Sequence, residues 1–287
     1  MTGDKYTALW ISYSSIHDFL ECPRAYFLKN IYKNPQTGHK IRLVNPFLSL
    51  GQTVHEALDS LSRLKTEKRF ESPILANFEI SWRKFKGKGG GFTNEQMEEH
   101  YKKRGIEMLS RVIKNHRSLA NLAVKLKTDL PHYFLSEEDN IVLCGKIDWL
   151  EYFPLTDSIH VIEFKTGKNK EAPDSLQLPI YYLIAKNCQK RPVSKVSYWY
   201  LEEDTGPEEQ TLPNEEEARQ NLLKIGKQIK LAKQLDRFKC KTGGCKQCQP
   251  LERVLKGEAE LVGLSERKED LYLLGEMLEE GEKSVIL

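Results

Sequence analysis

Val161-Ile162-Glu163-Phe164-Lys165-Thr166-Gly167-Lys168 is the stretch on which the fold turns. Side chains on a strand alternate between faces, so Ile162 and Phe164 point one way and Glu163 and Lys165 the other. The apolar pair asks for a buried face. A carboxylate and an ammonium therefore share the opposite face of a central strand, where charge has to be paired or used. The preceding strand carries Gly145-Lys146-Ile147-Asp148-Trp149. If strands 141–151 and 158–166 pair as a hairpin around the Pro154 to Asp157 turn, Asp148 comes within reach of Glu163. Two carboxylates a few ångströms apart repel unless a cation lies between them, and an all-oxygen site suits Mg²⁺ or Mn²⁺. Lys165 beside such a cation would orient or activate a water and stabilise a pentavalent phosphate. The bland alternative is a cross-strand ion network at a sheet surface.

Around this hairpin the periodicity reads as a mixed α/β chain. Residues 131–136, 141–151 and 158–166 are three strands rich in Ile, Val, Phe, Tyr and Trp; a helix over 174–187 and a fourth strand over 193–201 follow. The core order is α-β-β-β-α-β, a mixed sheet flanked by helices. Upstream, Ser14 is placed to cap a first helix bearing Ile16, Phe19 and Leu20, which Pro23 kinks or divides. A second helix from about Leu50 sets Val54, Leu58 and Leu61 on one stripe with His55 at its border. Residues 62–130 read as a helical insertion, interrupted at Gly87 to Gly91 by what looks like a flexible basic loop. Downstream come a basic amphipathic helix from about Asn214 to Leu235, a cysteine-bearing stretch within 214–257, and an acidic tail over 258–287 expected to be helical. The whole chain, 1–287, reads as one domain with 131–201 as its catalytic sheet core.

The charge of the chain is segregated. The 44 Lys+Arg and 41 Asp+Glu leave a formal net charge of only +3, which alone argues against a polyanionic partner. Residues 61–130, however, hold sixteen bases against eight acids, and residues 223–249 hold eight bases against Asp236. The balance is restored by acids in 202–217 and in the tail, where nine acids face three bases. Lys224, Lys227, Lys230 and Lys233 form a ridge that reads either as a solvated helix face or as part of a groove tracking a phosphate backbone. Trp82, Phe85 and Phe92 read either as stacking platforms for unpaired bases or as core. No apolar run reaches membrane-spanning length, and the N-terminus lacks a secretory pattern, so a cytoplasmic, membrane-free protein is expected.

Gly51-x-x-x-His55, Gly145-x-Ile147-Asp148, Glu163-x-Lys165-Thr166-Gly167-Lys168 and Gln177-x-x-x-Tyr181 occur in this order, preceded by Ser12-x-Ser14 and Cys22-Pro23-Arg24-x-Tyr26-Phe27. In this order the motifs resemble the RecB/AddB-like branch of the PD-(D/E)XK nuclease superfamily, which includes CRISPR-associated iron-sulfur exonucleases. The resemblance spans about residues 11–250. It implies a restriction-endonuclease-like core, His55, Asp148, Glu163 and the Phe164 carbonyl as ligands to Mg²⁺ or Mn²⁺, and Lys165 as catalytic lysine. Gln177 and Tyr181, at i and i+4 on one helix face, become supports for that lysine and for the substrate strand.

Three of the six cysteines crowd into Cys240, Cys245 and Cys248, in a Lys- and Gly-rich loop with little core of its own. Such a loop gains order from a metal. The resemblance joins this triplet to Cys22 around an iron-sulfur cluster, a 4Fe-4S staple. The spacing departs from the family triplet, because the later position near Val254 has no Cys while Cys240 precedes the pair; tetrahedral Zn²⁺ on the same four thiolates, or free thiols, are the alternatives. Cys144 and Cys188 read as small buried hydrophobes.

Together these features predict a metal-dependent deoxyribonuclease, an exonuclease on single strands or DNA ends, working in repair, recombination or CRISPR adaptation. No G-x-x-x-x-G-K-[ST] motor motif is present, so a helicase or CRISPR-adaptation partner would be a separate protein. The alternative is a non-catalytic nucleic-acid-binding or scaffold module on the same fold.

Overall fold

The computed structural model describes residues 4–71 and 73–275. In chain order the elements are β1 (Leu9–Ile11), α1 (Tyr13–Glu21), α2 (Pro23–Tyr26), β2 (Lys40–Leu43), α3 (Pro46–Leu61), α4 (Ile74–Trp82), α5 (Glu95–Lys114) and α6 (Arg117–Ala120). The sheet region follows as β3 (His132–Ser136), β4 (Ile141–Cys144), β5 (Trp149–Phe153), β6 (Ser158–Lys165), α7 (Gln177–Cys188), β7 (Val193–Tyr200) and β8 (Glu208–Gln210). The chain continues through α8 (Glu215–Gln234), α9 (Gln249–Leu255), β9 (Glu260–Leu264) and β10 (Glu269–Leu273).

The central sheet runs β5-β6-β7-β8, with β5 antiparallel and β7 parallel to β6. It is covered on both sides. Ile162, Phe164, Trp149 and Trp199 pack under α3, α4 and α5, while Ile159, Val161 and Val196 pack under α7 and α8. Two covered faces explain why β6 is a nearly continuous apolar run broken only where charge is placed on purpose. A second sheet, β1-β4-β3, shares the α7 and α8 core.

The expected strand 141–151 is two strands. The ladder stops at Cys144 and resumes at Trp149 in the other sheet, because Gly145 lies directly against α7: a Cβ there would come 3.0 Å from Ile184 Cδ1 and 3.3 Å from Tyr181 Cε1. The core therefore has four strands, not three, between α3 and α7. The first helix is capped by Ser12 rather than Ser14. Ser12 forms a capping box with Ser15, and α1 ends at Glu21 so that Pro23 can open α2.

Two further expectations are corrected. The Gly87–Gly91 segment is a packed turn, not a loose loop: Gly90 lies so close to the Phe85 backbone that a Cβ would sit 1.8 Å from its carbonyl oxygen, and Gly91, at φ 86°, abuts Asn45. Trp82 and Phe92, flanking that turn, are core residues at 1% exposure. The acidic tail expected to be helical forms the β9–β10 hairpin instead, and β10 pairs in parallel with β2. Asp270 anchors that pairing by accepting hydrogen bonds from Thr37 Oγ1 at 2.6 Å and His39 Nδ1 at 2.9 Å. Residues 276–287 of the expected tail lie outside the described residues. Among the described residues no helix is long and apolar enough to cross a membrane.

Candidate active site and cysteine centre

The site is assembled from three elements that the core forces together. The β5–β6 register sets Trp149 opposite Ile162, so Asp148, one residue before β5, falls opposite Glu163. Helix α3 brings His55 to the same place. It can approach because Gly51 has no side chain: a Cβ there would lie 3.2 Å from Thr166 Oγ1, just past the end of β6. Helix α7 contributes Gln177 and Tyr181 from its first turns.

His55 Nδ1 donates to Asp148 Oδ1 at 2.9 Å, and the Phe164 amide donates to Asp148 Oδ2 at 3.0 Å. Gln177 Nε2 donates to Glu163 Oε1 at 2.5 Å and to Tyr181 Oη at 3.3 Å. Lys165 Nζ donates to Gln177 Oε1 and, at 2.6 Å, to Glu171 Oε1. Gln177 thus links the carboxylate and the lysine of the Glu-x-Lys pair through the two ends of one amide. The Lys165 ammonium also lies 5.1 Å from the Tyr198 ring centroid and 6.0 Å from that of Tyr13.

The electrostatics are those of crowded acids. Burial, reinforced by the adjacent Asp148 charge, pushes the Glu163 carboxyl well above its ordinary range. Burial works against an ionised Asp148 too, but the charge and hydrogen bond of His55, a proton shared with Glu163 and the Phe164 amide outweigh it and hold Asp148 low. Asp148 in turn raises His55 against the opposing pull of burial.

One atom distinguishes this cluster from structural charge. Glu163 is 6% exposed, and its Oε2 is buried with no N–H or O–H donor among the described residues, so that only a proton shared with Asp148 or a cation satisfies it. Glu151 is equally buried on the other face of the sheet, yet both its oxygens are satisfied, by Asn121 Nδ2 at 2.6 Å and His160 Nδ1 at 2.9 Å. His160 passes the chain on to Ser197 Oγ at 2.7 Å. A carboxylate oxygen left without a donor and facing a second carboxylate is suited to a divalent cation, whereas a fully bonded one is structural. His55, Asp148 and Glu163 offer the imidazole and carboxylate ligands that suit a hard divalent cation, although, unlike the four cysteines, their ligand atoms do not all lie within 4.8 Å of one another.

Glu171 and Tyr13 belong to this cluster and no sequence signal marks them. Glu171 lies in the segment between β6 and α7, where it receives the Lys165 ammonium, and Tyr13 Oη donates to its other oxygen at 3.4 Å. Its own amide donates to Tyr200 Oη at 2.9 Å. Tyr13 stands between the two serines of Ser12-x-Ser14, so only that motif hinted at its region.

The second constellation is also brought together. The sulfurs of Cys22, Cys240, Cys245 and Cys248 all lie within 4.8 Å of one another, with Cys245 Sγ and Cys248 Sγ 3.8 Å apart. Cys22 precedes α2 and Cys248 precedes α9, and the two helices are clamped by Arg24 Nε on Glu252 Oε1 at 2.5 Å. Ala25, Leu28, Ile41, Leu251 and Val254 form an apolar shell around the thiols. Val254, near which the usual third ligand would fall, is part of that shell, and Cys240 completes the set from the other direction. Burial pushes the Cys22 thiol up to about 12, while the Thr242 hydroxyl pulls the half-buried Cys240 down to about 6. Four sulfurs converging in this way form a ligand set that could hold one metal ion or cluster. Cys144 is buried as expected, and Cys188 is half-buried.

The basic ridge of α8 is partly spent. Lys227 pairs with Asp139 at 2.9 Å, and Lys230 donates to the Asp139 carbonyl.

None of the curated proteins resembles the chain significantly. Among solved structures, a protein from Eubacterium rectale provisionally named an exonuclease is similar at 12% identity and a TM-score of 0.41, covering 97% of this chain and 89% of that one. The sequence profile of the PD-(D/E)XK nuclease superfamily matches residues 10–252, which take in His55, the Asp148, Glu163 and Lys165 cluster, Gln177 and all four converging cysteines. The chain belongs to the PD-(D/E)XK nuclease superfamily.

Proposed function

We propose that the protein is a metal-dependent deoxyribonuclease, acting as an exonuclease on single strands or DNA ends. The orphaned Glu163 Oε2 opposite Asp148 is the observation that carries this reading. His55, Asp148, Glu163 and the Phe164 carbonyl would hold Mg²⁺ or Mn²⁺. A cation held there would supply Lewis-acid chemistry, neutralising phosphate charge, easing deprotonation of water and stabilising the leaving oxygen. Asp148 fixes the ring of His55 through Nδ1 and leaves Nε2 without a hydrogen bond among the described residues. Lys165 supplies positive charge beside the attacking water, and Gln177 holds Lys165 and Glu163 in fixed relation. Tyr181 braces Gln177 from one turn further along α7.

The four cysteines are a structural metal centre in this reading, inside a single domain whose ends they tie. An iron-sulfur cluster is what the RecB-like resemblance implies. Zinc is favoured by one observation: a tetrahedral Zn–S site with bonds of about 2.3 Å sets its sulfurs roughly 3.8 Å apart, the separation of Cys245 Sγ and Cys248 Sγ. Visible absorption and metal analysis of anaerobically purified protein decide it. A brown protein with about four irons supports the cluster, and a colourless one with a single zinc removes it.

Repair, recombination or CRISPR adaptation, with a separate motor protein, is the setting the resemblance supports. The function is tested by incubating end-labelled single-stranded DNA, duplex DNA and RNA with Mg²⁺ or Mn²⁺. Stepwise shortening of DNA supports the exonuclease reading. Internal cuts on circular DNA, or a preference for RNA, would replace that part of it.

A further inference from the structure

Two clefts flank the His55–Asp148 pair. One, of about 320 Å³, is lined by Asp148 and the start of β5; the other, of about 410 Å³, is lined by His55 and the opening turns of α3. Lys146 and Arg267 line both. The first cleft carries four Lys or Arg side chains against three acids, one of which is Asp148 itself, and the second carries four against two. A third cleft, of about 600 Å³, opens on the other side of Lys165 between α1 and α8. It has Lys224 as its single Lys or Arg against the three acids Glu21, Glu171 and Asp174. Of these three clefts, the two on the His55–Asp148 side carry the excess of Lys and Arg over acids that a polyanion needs.

Arg267 reaches that side from the tip of the β9–β10 hairpin. The tip is a defined turn: Lys268 adopts φ 58°, and its amide donates to the Ser265 carbonyl at 2.9 Å. The hairpin is fastened at its base by the β10–β2 pairing. Lys84 is paired with Glu56 and Glu266, and Lys146 with Asp59 at 3.1 Å, whereas Arg267 has no ionic partner among the described residues.

Resting on the nuclease reading, we propose that the phosphodiester backbone of the substrate strand crosses the His55–Asp148 edge of the sheet. Lys146 and Arg267, which line both clefts, grip it beside the candidate metal ligands, and the hairpin tip forms the outer wall of the path. The α8 ridge lies off this path. Lys146 and Arg267 are specificity-neutral phosphate contacts, so they set affinity and its salt dependence rather than base preference.

The test is binding of a fluorescent thirty-nucleotide oligothymidine by the whole chain, with Ca²⁺ replacing Mg²⁺, across a salt series. Arg267→Ala and Lys146→Gln should each weaken binding several-fold and lower the slope of log affinity against log salt by about 0.7, the single-strand value per phosphate contact. Both positions are exposed, and unchanged melting temperatures confirm the fold. Lys224→Ala with Lys233→Ala should bind like wild type. Weakening confined to the α8 pair, or wild-type binding by the Arg267→Ala, Lys146→Gln double variant, overturns the proposed path. If wild type cleaves DNA while that double variant binds normally, only the path fails. If wild type neither binds nor cleaves, the nuclease reading fails with it.

Discussion

The carboxylate cluster and the cysteine centre each bring distant residues to one point, but they are built in opposite ways. Asp148, Glu163 and Lys165 sit on or beside central strands whose apolar side chains pack on both faces, and His55 and Gln177 arrive on helices packed against those strands. That geometry stands on hydrophobic burial, and the cost it carries is an orphaned acid. The cysteine centre has the reverse economy: Cys240 and Cys245 lie outside helices and strands, in a segment rich in Lys and Gly. Its apolar shell is small, so in the proposed reading a metal held by the four thiols would supply the order. The difference teaches which cation does chemistry and which holds the chain together.

Breaking the second region should therefore cost stability, and breaking the first should cost rate. Cys248→Ser removes a buried ligand, and the expected result is loss of the bound metal with a melting temperature lowered by about 6 °C, on the order of 3–4 kcal/mol for a chain of this size. Calorimetry with metal analysis reads both; a variant that sheds its metal yet melts like wild type would end the staple assignment. Lys165→Ala should do the opposite, slowing cleavage about a thousandfold, roughly 4 kcal/mol of barrier, with melting within a degree or two of wild type. A smaller effect is expected at Glu171, which touches Lys165 rather than the site of the cation. Glu171→Gln should lower kcat by about tenfold with KM unchanged, and Glu171→Asp should recover part of it; a change confined to KM would place Glu171 on the substrate instead.

The mildest test uses pH. Glu163 and His55 are both raised in the folded protein without a cation, so each favours its protonated form and the stability it contributes is lost as pH rises through its folded value. Asp148 is lowered and works the other way, contributing stability above its unfolded value that is lost on acidification. Cation binding must displace the protons on Glu163 and His55, so apparent Mn²⁺ affinity should tighten between pH 6 and 8, up to about tenfold per unit for each proton released. Titration calorimetry in two buffers of different ionisation enthalpy counts those protons, and a pH-independent affinity contradicts the ligand set.

Much of this comparison was legible in the residues, and the exceptions have physical causes. The alternation of Val161 to Lys165 placed Glu163 and Lys165 on one face, and the four-residue turn between Phe153 and Ser158 fixed the register that carries Asp148 to Glu163. His55 was findable because Gly51 marks a close helix approach. Glu171 and Tyr13 were not, since a contact made from an irregular segment leaves no period. The β9–β10 hairpin was misread because its acids suggested a solvated helix, while what decides it is pairing with β2, more than two hundred residues earlier. The glycines from Gly87 to Gly91 suggested looseness, yet Gly90 and Gly91 are small because backbone approaches them.

The central claim is that the Asp148–Glu163 pair holds the cation that cleaves a phosphodiester. Mn²⁺-dependent degradation of end-labelled DNA by wild type and by Asp148→Ala, each checked for an intact fold and retained cysteine-bound metal, tests it most directly. The account predicts cleavage by wild type that stops on chelation and falls at least a thousandfold in Asp148→Ala. Equal cleavage by the two proteins, or none by wild type, would contradict it.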